Sequence, residues 1–412
     1  MGRARNAALV AVGLLVAFFG LKLASRDDPA PNDADLIPAD APASGADDAY
    51  PVFLRLNAAL SLTLQEREAL GKQFGGNASD EPAVAGFIAR STRALTLFGE
   101  LSRRAVFQDP KYRDPSTVGP YTPSPQFYSV VAAAQMISLQ AESLLKKGRA
   151  PEALAQALLI VDVGRMFVRG HPQVMQWNGG MILIEIGATR ALDIATSGRL
   201  DRARLLDAAA RLSAASNAVA GLQDALRYEY VVQAYSLDHL DEIAAKGDGF
   251  RPVAIHSNPN NRLNRIYAAA AKVGCYIYLP HRTKALFADR YHLLLAEAAK
   301  PCLQALPPFE LLPWKLRPNM LGLIRYDMEA PSYGRLSSRR CKATLRMTEA
   351  AVAAALQAYR LDHRRFPASV SELTPGYLAA APVDPFSGAE LIYSPGSGEV
   401  HSAAKDPDGK PL

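Results

Sequence analysis

The sequence predicts a mainly α-helical protein, in which an α-hairpin, solenoid-like helical domain precedes a small C-terminal α+β module. Two observations support this expectation. Alanine and leucine dominate the 412 residues, and both favour helices. Apolar residues also recur at three- and four-residue steps through most of residues 51–245, with glycine and proline separating the runs. A chain of this length can form two or three domains.

The N-terminal segment, residues 1–25, has the features of a membrane anchor. Arg3 and Arg5 precede an apolar run over residues 7–21, extended by three more positions if Lys22 snorkels. No good cleavage site follows the run, so we favour an uncleaved anchor over a cleaved signal peptide. With its arginines inside, this anchor predicts a single span of a bacterial inner membrane. The bulk of the chain would then lie in the periplasm or another extracytoplasmic space.

Residues 26–50 are predicted to be a tether between the anchor and the first helix. They are rich in aspartate, alanine and proline and show no hydrophobic periodicity. Such a segment cannot bury a core of its own, so we expect it to be disordered. It would hold the rest of the protein clear of the bilayer.

The helical domain, residues 51–306, contains one amphipathic segment after another. Proline, glycine and asparagine separate these segments, and a longer proline-rich loop occupies residues 109–123. An irregular break over residues 245–261 divides the last two helices from the others. The predicted helices are Val52–Phe74, Glu81–Val106, Pro125–Lys147, Pro151–Arg169, Gln173–Ser197, Asp201–Ser216, Ala220–Ala245, Arg262–Val273 and Arg282–Lys300.

A weak repeat within this domain predicts helical hairpins in tandem. The stretch 146–154 is echoed later by the stretch 197–203. In each, a glycine (Gly148 or Gly198) ends one helix, and a proline or aspartate begins the next at the same offset. The repeat lacks the tetratricopeptide signature residues, so we assign the array to no named family. Stacked hairpins form grooved or concave surfaces, which predicts a protein partner on this domain.

The C-terminal module, residues 335–412, follows a proline-rich connector over residues 307–334. It begins with a long amphipathic helix that ends at Phe366-Pro367, because proline cannot donate the next backbone hydrogen bond. A turn at residues 395–398 then predicts a hairpin that covers this helix with a small sheet. The apolar stripe of the helix comprises Cys341, Leu345, Thr348, Val352, Leu356, Tyr359 and His363.

The module also contains a series of short motifs in a fixed order. They are Tyr-Arg-Leu-Asp at the helix end, then Arg-Phe-Pro, Glu-Leu, Tyr-Leu, Pro-Val-Asp-Pro-Phe-Ser-Gly and a tyrosine-bearing strand. The matching residues are Tyr359, Asp362, Phe366, Pro367, Leu373, Tyr377, Leu378, Pro382, Asp384, Pro385, Phe386, Gly388 and Tyr393. In order and spacing the series resembles the globular part of type II secretion major pseudopilins. The resemblance covers roughly the last fifth of the chain.

Two pseudopilin features have altered counterparts in this sequence. The processing site of the family is a glycine followed by phenylalanine, with glutamate five residues in, whereas Gly20 is followed here by Leu21 and then Ser25. The calcium loop of the family is shortened and retains Asp406 and Asp408, which either bind calcium or form a turn. The resemblance therefore implies a pseudopilin-like module carried by another kind of protein.

Common catalytic signatures are absent from the sequence, which contains no HExxH, P-loop, GxSxG elbow or GxGxxG motif. The densest titratable cluster is Asp238, His239, Asp241 and Glu242. Helical spacing places its two aspartates on one face of a helix. There they either coordinate a divalent metal or, as is more common for charges at a helix end, face solvent. We therefore predict no enzyme activity, no cofactor, and no catalytic, cofactor-binding or metal-binding residue.

Three further polar groups have structural interpretations beside functional ones. His171, Trp177 and Asn178 either line a pocket or cap and pack the start of a helix. The basic residues after Asp362 complement the carbonyl end of the long helix. Asp384 precedes a proline and is predicted to close a turn on its own backbone.

Charge and cysteine usage limit the possible functions. The formal net charge of +6 is spread along the helices, so we predict no nucleic-acid partner. Cys275, Cys302 and Cys341 have no metal-binding spacing. Either they are free core thiols or, in an exported protein, one pair forms a disulfide and one thiol remains.

These features predict a membrane-anchored, extracytoplasmic bacterial protein with a non-enzymatic binding or scaffolding role and an unidentified partner. The first alternative is a divergent structural component of a type II secretion or pilus-like system, because the C-terminal module resembles pseudopilins. The second alternative is a metal-dependent hydrolase, which rests on the Asp238 cluster alone.

Overall fold

The structure, a computed structural model, confirms that the protein is mainly α-helical. It describes residues 26–38, 47–76, 81–109, 127–169, 172–217, 222–239, 279–299, 319, 322–323, 325–326 and 336–405, which contain eleven α-helices and one two-stranded sheet. The helices are α1 (Tyr50–Ala59), α2 (Leu64–Phe74), α3 (Glu81–Arg90), α4 (Thr92–Leu101), α5 (Tyr128–Lys146), α6 (Ala150–Val168), α7 (Val174–Thr196), α8 (Arg202–Asn217), α9 (Leu222–Asp238), α10 (Pro280–Ala298) and α11 (Leu336–His363). The strands are β1 (Ile392–Ser394) and β2 (Glu399–His401), and 3-10 turns occur at Ala34–Leu36 and Val370–Leu373.

Several predicted features lie outside the described residues. They are the anchor at residues 1–25, most of the loop at 109–123, the break at 245–261, the helix Arg262–Val273, most of the connector at 307–334, His171, Asp241, Glu242, Cys275, Cys302 and residues 406–412. Within the part of the chain that the structure describes, no helix is long and apolar enough to cross a membrane. The N-terminal span therefore stays a prediction.

Two helices predicted as continuous are each divided in the structure. The first, Val52–Phe74, is interrupted by a capping box. Here the Thr63 hydroxyl accepts a hydrogen bond from the Glu66 N–H, and the Thr63 N–H donates to the Glu66 carboxylate at 2.8 Å. The second, Glu81–Val106, is divided at Ser91. Periodicity missed both breaks because apolar residues recur at helical steps on either side of them.

The predicted hairpin turns are confirmed at both glycines. Gly148 and Gly198 follow α5 and α7 with φ values of 78° and 70°, a left-handed conformation that favours glycine. After α5, the Gly148 and Arg149 N–H groups donate to the carbonyls of Leu145 and Leu144, which closes the helix end. The repeat in the sequence therefore marks two helix–turn–helix connections, α5–α6 and α7–α8.

Helices α6 and α7 meet along a close seam of small residues. A Cβ added to Gly180 would lie 2.7 Å from the Gly164 carbonyl oxygen. One added to Gly187 would lie 2.7 Å from the Ala157 carbonyl oxygen. Glycine at these positions lets the two backbones approach where any larger residue would collide. The resulting hairpin contributes to two apolar clusters from opposite faces.

These two clusters form the interior. The N-terminal cluster lies between α1, α4, α5 and one face of the α6–α7 hairpin. At its centre four rings, those of Phe53, Phe107, Phe127 and Phe167, contact one another. The C-terminal cluster combines the other face of the hairpin with α8, α9, α10 and α11, and it consists largely of alanine and leucine.

The long helix α11 is part of the helical array. It packs against both α7 and α8, and its apolar residues belong to the same cluster as theirs. Residues 347–356 are all buried, so this part of the helix is enclosed on every side and not only along the predicted stripe. The sequence predicted a separate module from residue 335, but the described part of that module shares a continuous core with the helical domain.

The remaining C-terminal residues cover the end of α11, as predicted. β1 and β2 pair antiparallel, with Tyr393 opposite Val400. The Tyr393 hydroxyl donates to the Pro367 carbonyl at 2.9 Å, which ties this hairpin to the turn after α11. The predicted order of long helix, short helical turn and strand pair is therefore present.

The segment predicted to be a disordered tether is partly folded onto the helical domain. Residues 34–36 form a 3-10 turn against α9 and α10, and Leu36 is fully buried in the C-terminal cluster. Near the start of α1, the Ala49 N–H donates to the Val106 carbonyl. Composition was misleading because it shows the charges of a segment but not their partners. An aspartate-rich segment stays disordered when its charges are unpaired, whereas these aspartates pair with Arg282, Lys284 and His292.

Candidate binding cleft

Of the acidic cluster at the end of α9, only Asp238 and His239 lie among the described residues. Asp238 pairs with Lys284 of α10 at 3.0 Å. The His239 ring stacks on Tyr235, and its Nδ1 lies 3.0 Å from the Tyr235 carbonyl oxygen. No group of three His, Cys, Asp or Glu side chains in the described residues could hold a metal ion. Asp238 and His239 are instead held by their neighbours on α9 and α10.

The polar residues at the start of α7 belong to the packing of the hairpin. Trp177 is fully buried in the C-terminal cluster, and Asn178 is half-buried beside it in the chain. The Gln176 side-chain amide donates to the Phe167 carbonyl at 2.9 Å, which links the start of α7 to the end of α6. The structure therefore supports the packing interpretation of this region over the pocket interpretation.

Asp362 connects α11 to α8. Its carboxylate accepts hydrogen bonds from the Arg202 guanidinium and from the Tyr377 hydroxyl, each at 2.7 Å. The bond from Arg202, followed by that from Tyr377, holds the pKa of Asp362 below its usual value. Charge therefore ties the C-terminal region to the helical domain in addition to apolar packing.

The turn predicted at Asp384 is confirmed. This carboxylate is fully buried, and Oδ1 accepts from the Phe386 N–H at 2.8 Å while Oδ2 accepts from the Ser402 hydroxyl at 2.7 Å. Both oxygens are thus satisfied, as buried polar atoms require. Asp384 therefore closes the turn and also holds the residue that follows β2.

The cysteine alternatives are decided for one residue. Cys341 is fully buried on α11 and forms a disulfide. The other two cysteines lie outside the described residues. The structure therefore contains a disulfide, which was one of the two possibilities left open by the sequence.

An open cleft between α1, α2 and α5 is the candidate functional site. Its volume is about 380 Å³, within the range of roughly 300–1,000 Å³ that small-ligand sites occupy. Leucine and alanine form part of the walls, and the polar lining comes from Asn57, Ser61, Arg67, Tyr128 and Ser129. The cleft thus combines apolar walls with several hydrogen-bonding groups.

Local structure explains how these residues come together. The capping box at Thr63 turns the chain between α1 and α2, so that Ser61 in the connection and Arg67 on α2 line the same opening. Tyr128 is the first residue of α5, and 71% of its surface is exposed. The Asn57 side-chain oxygen is buried with no hydrogen-bond partner among the described residues.

These groups define the chemistry of a suitable ligand. Arg67 is exposed and has no ion-pair partner among the described residues, so its guanidinium can donate hydrogen bonds to a carboxylate. The Asn57 side-chain oxygen has no hydrogen-bond partner among the described residues, so a donor from a ligand would satisfy it. Tyr128 offers an aromatic surface with a polar tip. A polypeptide segment carrying N–H donors and an acidic side chain meets all three requirements.

Comparison with known proteins does not identify the chain. No family model, curated protein or solved structure matches it. The geometry of the cleft and the features of the chain itself are therefore the basis for assigning a function.

Sequence reasoning did not find this cleft. Its residues come from α1, α2 and the short connection between them, and from α5, which lies much later in the chain; none of them belongs to a recognisable motif. One detectable signal was the Thr-x-x-Glu pattern at Thr63 and Glu66, which marks a helix start inside a stretch that was predicted as continuous. That signal locates a turn, but it cannot show that α5 packs beside it.

Proposed function

We propose that this protein is a membrane-anchored, extracytoplasmic binding or scaffolding protein that holds a segment of a protein partner in the α1–α2–α5 cleft. The observation that carries the proposal is the presence, in one opening, of an exposed ring, a cation with no ion-pair partner among the described residues, and a buried amide oxygen. Tyr128, Arg67 and Asn57 supply these groups. Tyrosine and arginine are also among the residues that dominate binding energy at protein interfaces.

The lining favours binding over catalysis. Its polar residues supply hydroxyl, amide, phenol and guanidinium groups, all of which form hydrogen bonds. The described residues that line the cleft include no carboxylate, imidazole or thiol, the groups that most often act as acid, base or nucleophile near neutral pH. A non-enzymatic role is the class of function that this chemistry supports best.

The disulfide at Cys341 supports an extracytoplasmic location. Disulfides persist in oxidising compartments such as the bacterial periplasm and are rare in the cytosol. The apolar N-terminal run with arginines before it supports an inner-membrane anchor. In this proposal the membrane is the partner of the N-terminal span, and a protein is the partner of the cleft.

A divergent component of a type II secretion or pilus-like system is the second candidate. The long helix, the Asp384 turn and the β1–β2 hairpin occur in the order that the pseudopilin-like module implies, which favours this candidate. However, α11 is enclosed between α7 and α8, so its middle turns are not free to join a filament. The metal-dependent hydrolase has no supporting geometry in the described residues.

Site-specific photocrosslinking in cells tests the proposal directly. A photoreactive phenylalanine analogue is placed at Tyr128 in the full-length chain, and a second variant carries it at Val383, which is also exposed but lies in the C-terminal region. We expect one crosslinked protein from position 128 and not from position 383. Adding Arg67→Glu should remove that crosslink, because it replaces the cation of the cleft with an anion.

The outcome separates the candidates. A crosslink at position 128 that survives Arg67→Glu, or one that appears equally at position 383, would contradict a partner held in the cleft. Recovery of secretion or pilus components at position 383 would favour the second candidate. The two variants share the same fold and anchor, so a difference between their crosslinked products reflects only which surface carries the photoreactive residue.

A further inference from the structure

The acidic segment that follows the predicted anchor is bound along α9 and α10 like a peptide ligand. It begins by capping α10, whose own N-cap residue Leu279 makes no side-chain capping bond. The Asp27 carboxylate accepts hydrogen bonds from the backbone N–H groups of His281 and Arg282, at 2.8 and 3.1 Å. An anion at this position satisfies unpaired helix donors and the positive end of the helix dipole.

The next contacts are ion pairs. Asp28 and the Arg282 guanidinium form a two-pronged pair at 2.8 and 2.9 Å, and the bond from Arg282 holds the pKa of Asp28 below its usual value. Asp33 accepts from the Tyr230 hydroxyl at 2.6 Å and lies 3.5 Å from the Lys284 ammonium. Hydrogen bonds and ion pairs of its aspartates therefore hold the first half of the segment on this surface.

The segment ends in one more polar contact and an apolar anchor. Asp35 lies 3.0 Å from His292 Nε2, and its carbonyl accepts from the Arg227 guanidinium at 3.3 Å. The following residue, Leu36, is fully buried against α9 and α10. Four aspartates and one leucine thus each have a defined partner on a single surface.

We propose that this α9–α10 face is a receptor for acidic segments, that residues 27–36 occupy it as an intramolecular ligand, and that an acidic segment of a partner takes their place. The matching segment carries two separated aspartate pairs with a leucine after the second, as in residues 27–36. This site is distinct from the α1–α2–α5 cleft, and neither proposal depends on the other.

The outer ion pairs are the contacts that exchange most readily, whereas Leu36 is fully buried and Asp33 bonds the buried Tyr230. Asp28, Arg282, Asp35 and His292 are all at least one-third exposed, and ion pairs of this kind are individually weak and screened by salt. The attached segment prevails over a free peptide mainly because its effective concentration is high. Weakening its contacts should therefore open the receptor to a peptide supplied in trans.

A synthetic peptide of residues 26–38 provides the probe. The full-length protein is compared with a variant in which Asp27, Asp28, Asp33 and Asp35 are all replaced by asparagine. We expect no measurable binding to the wild type, and binding to the variant with a dissociation constant of about 0.1–1 mM at low salt. A peptide with the same four replacements is the control and should not bind to either protein.

A charge exchange identifies the surface. Adding Arg282→Glu to the fourfold variant should abolish binding of the probe, and a peptide with Asp28→Arg should restore it. Binding of the unmodified probe to the wild type and the variant alike, binding to neither, or retention of binding after Arg282→Glu would overturn the proposal.

A second measurement applies if the fourfold variant loses the helical circular dichroism of the wild type. The single Arg282→Glu change in the otherwise natural chain should speed amide hydrogen exchange of residues 27–36 by about tenfold or more, because it puts two anions in contact. Exchange at the wild-type rate would show that the segment does not depend on this charge pairing, and would overturn the proposal.

Discussion

The two apolar clusters fill their space in opposite ways. The N-terminal cluster has large rings at its centre, with Phe53, Phe107 and Phe167 fully buried and in mutual contact. The C-terminal cluster brings helix backbones close together through alanine and through glycines such as Gly187. The first fills space with side chains, whereas the second removes space by bringing the helices nearer to each other.

This difference implies opposite sensitivities to mutation. In the ring-filled cluster, removing atoms should cost the most, because a rigid wall cannot collapse into the cavity. In the small-residue cluster, adding atoms should cost the most, because backbone atoms already occupy the available space. The α6–α7 hairpin belongs to both clusters, so both kinds of change can be made on the same pair of helices.

The largest expected effect is that of Phe167→Ala in the N-terminal cluster. Its ring contacts three other phenylalanines and is fully buried, so truncation should lower the free energy of unfolding by about 3–5 kcal/mol. Urea denaturation followed by circular dichroism measures this loss. Phe167→Leu keeps most of the volume and should cost less than half as much. Equal losses for the two variants would mean that the rings do not act as space-filling groups.

The next effect is that of Gly187→Ala in the seam. The added methyl would lie 2.7 Å from the Ala157 carbonyl oxygen and 2.8 Å from the Val161 nitrogen, so the helices must separate. We expect a loss of about 1–3 kcal/mol in the free energy of unfolding. Thermal and urea denaturation of the same samples would measure it.

Gly99→Ala is the matched control for that change. Gly99 also lies in a helix, α4, but a methyl group there meets no atom within 4 Å. It should raise the free energy of unfolding by about 0.5–1 kcal/mol, because alanine has less backbone freedom to lose on folding. If both variants shift in the same direction, the seam is not as close as the structure shows.

The smallest effect concerns Glu349, an acid buried within the C-terminal cluster. Burial raises its pKa above the usual value, against the opposing effect of Arg346 at 2.7 Å. A group whose pKa is raised by folding contributes stability that is fully present below its pKa in the unfolded state. That contribution is lost as the pH rises through its pKa in the folded state. Glu349→Gln should therefore increase Tm at pH 8 relative to wild type by more than it does at pH 4.

Asp362→Asn on the same helix gives the opposite sign. The pKa of Asp362 is lowered by Arg202, so its contribution to stability is present near neutral pH and is lost as the pH falls through the lowered value. This variant should have a lower Tm than the wild type at pH 7, with the difference shrinking in strong acid. If the Tm difference between Glu349→Gln and wild type varied with pH in the same direction as that of Asp362→Asn, the pKa of Glu349 would not be raised.

Local features of the fold were predictable from sequence. The turns at Gly148 and Gly198, the end of α11 near Pro367 and the Asp384 turn depend on residues only a few positions apart. Conformational preferences and short-range hydrogen bonds decide such features, and both are legible in a single sequence. The split at Thr63 was equally local and was missed only because periodicity outweighed the capping signal.

The sequence by itself determined that the described part of the chain is mainly helical, where the hairpins turn at Gly148 and Gly198, and that the chain has no common catalytic motif. The tertiary structure decided that α11 is enclosed by α7 and α8, that residues 27–36 bind to α9 and α10, and that Tyr128 and Arg67 line the same cleft. The physical reason is the range of the interactions. An amphipathic stripe or an aspartate specifies the kind of partner it needs, but only the folded chain brings a particular partner from a distant position into contact.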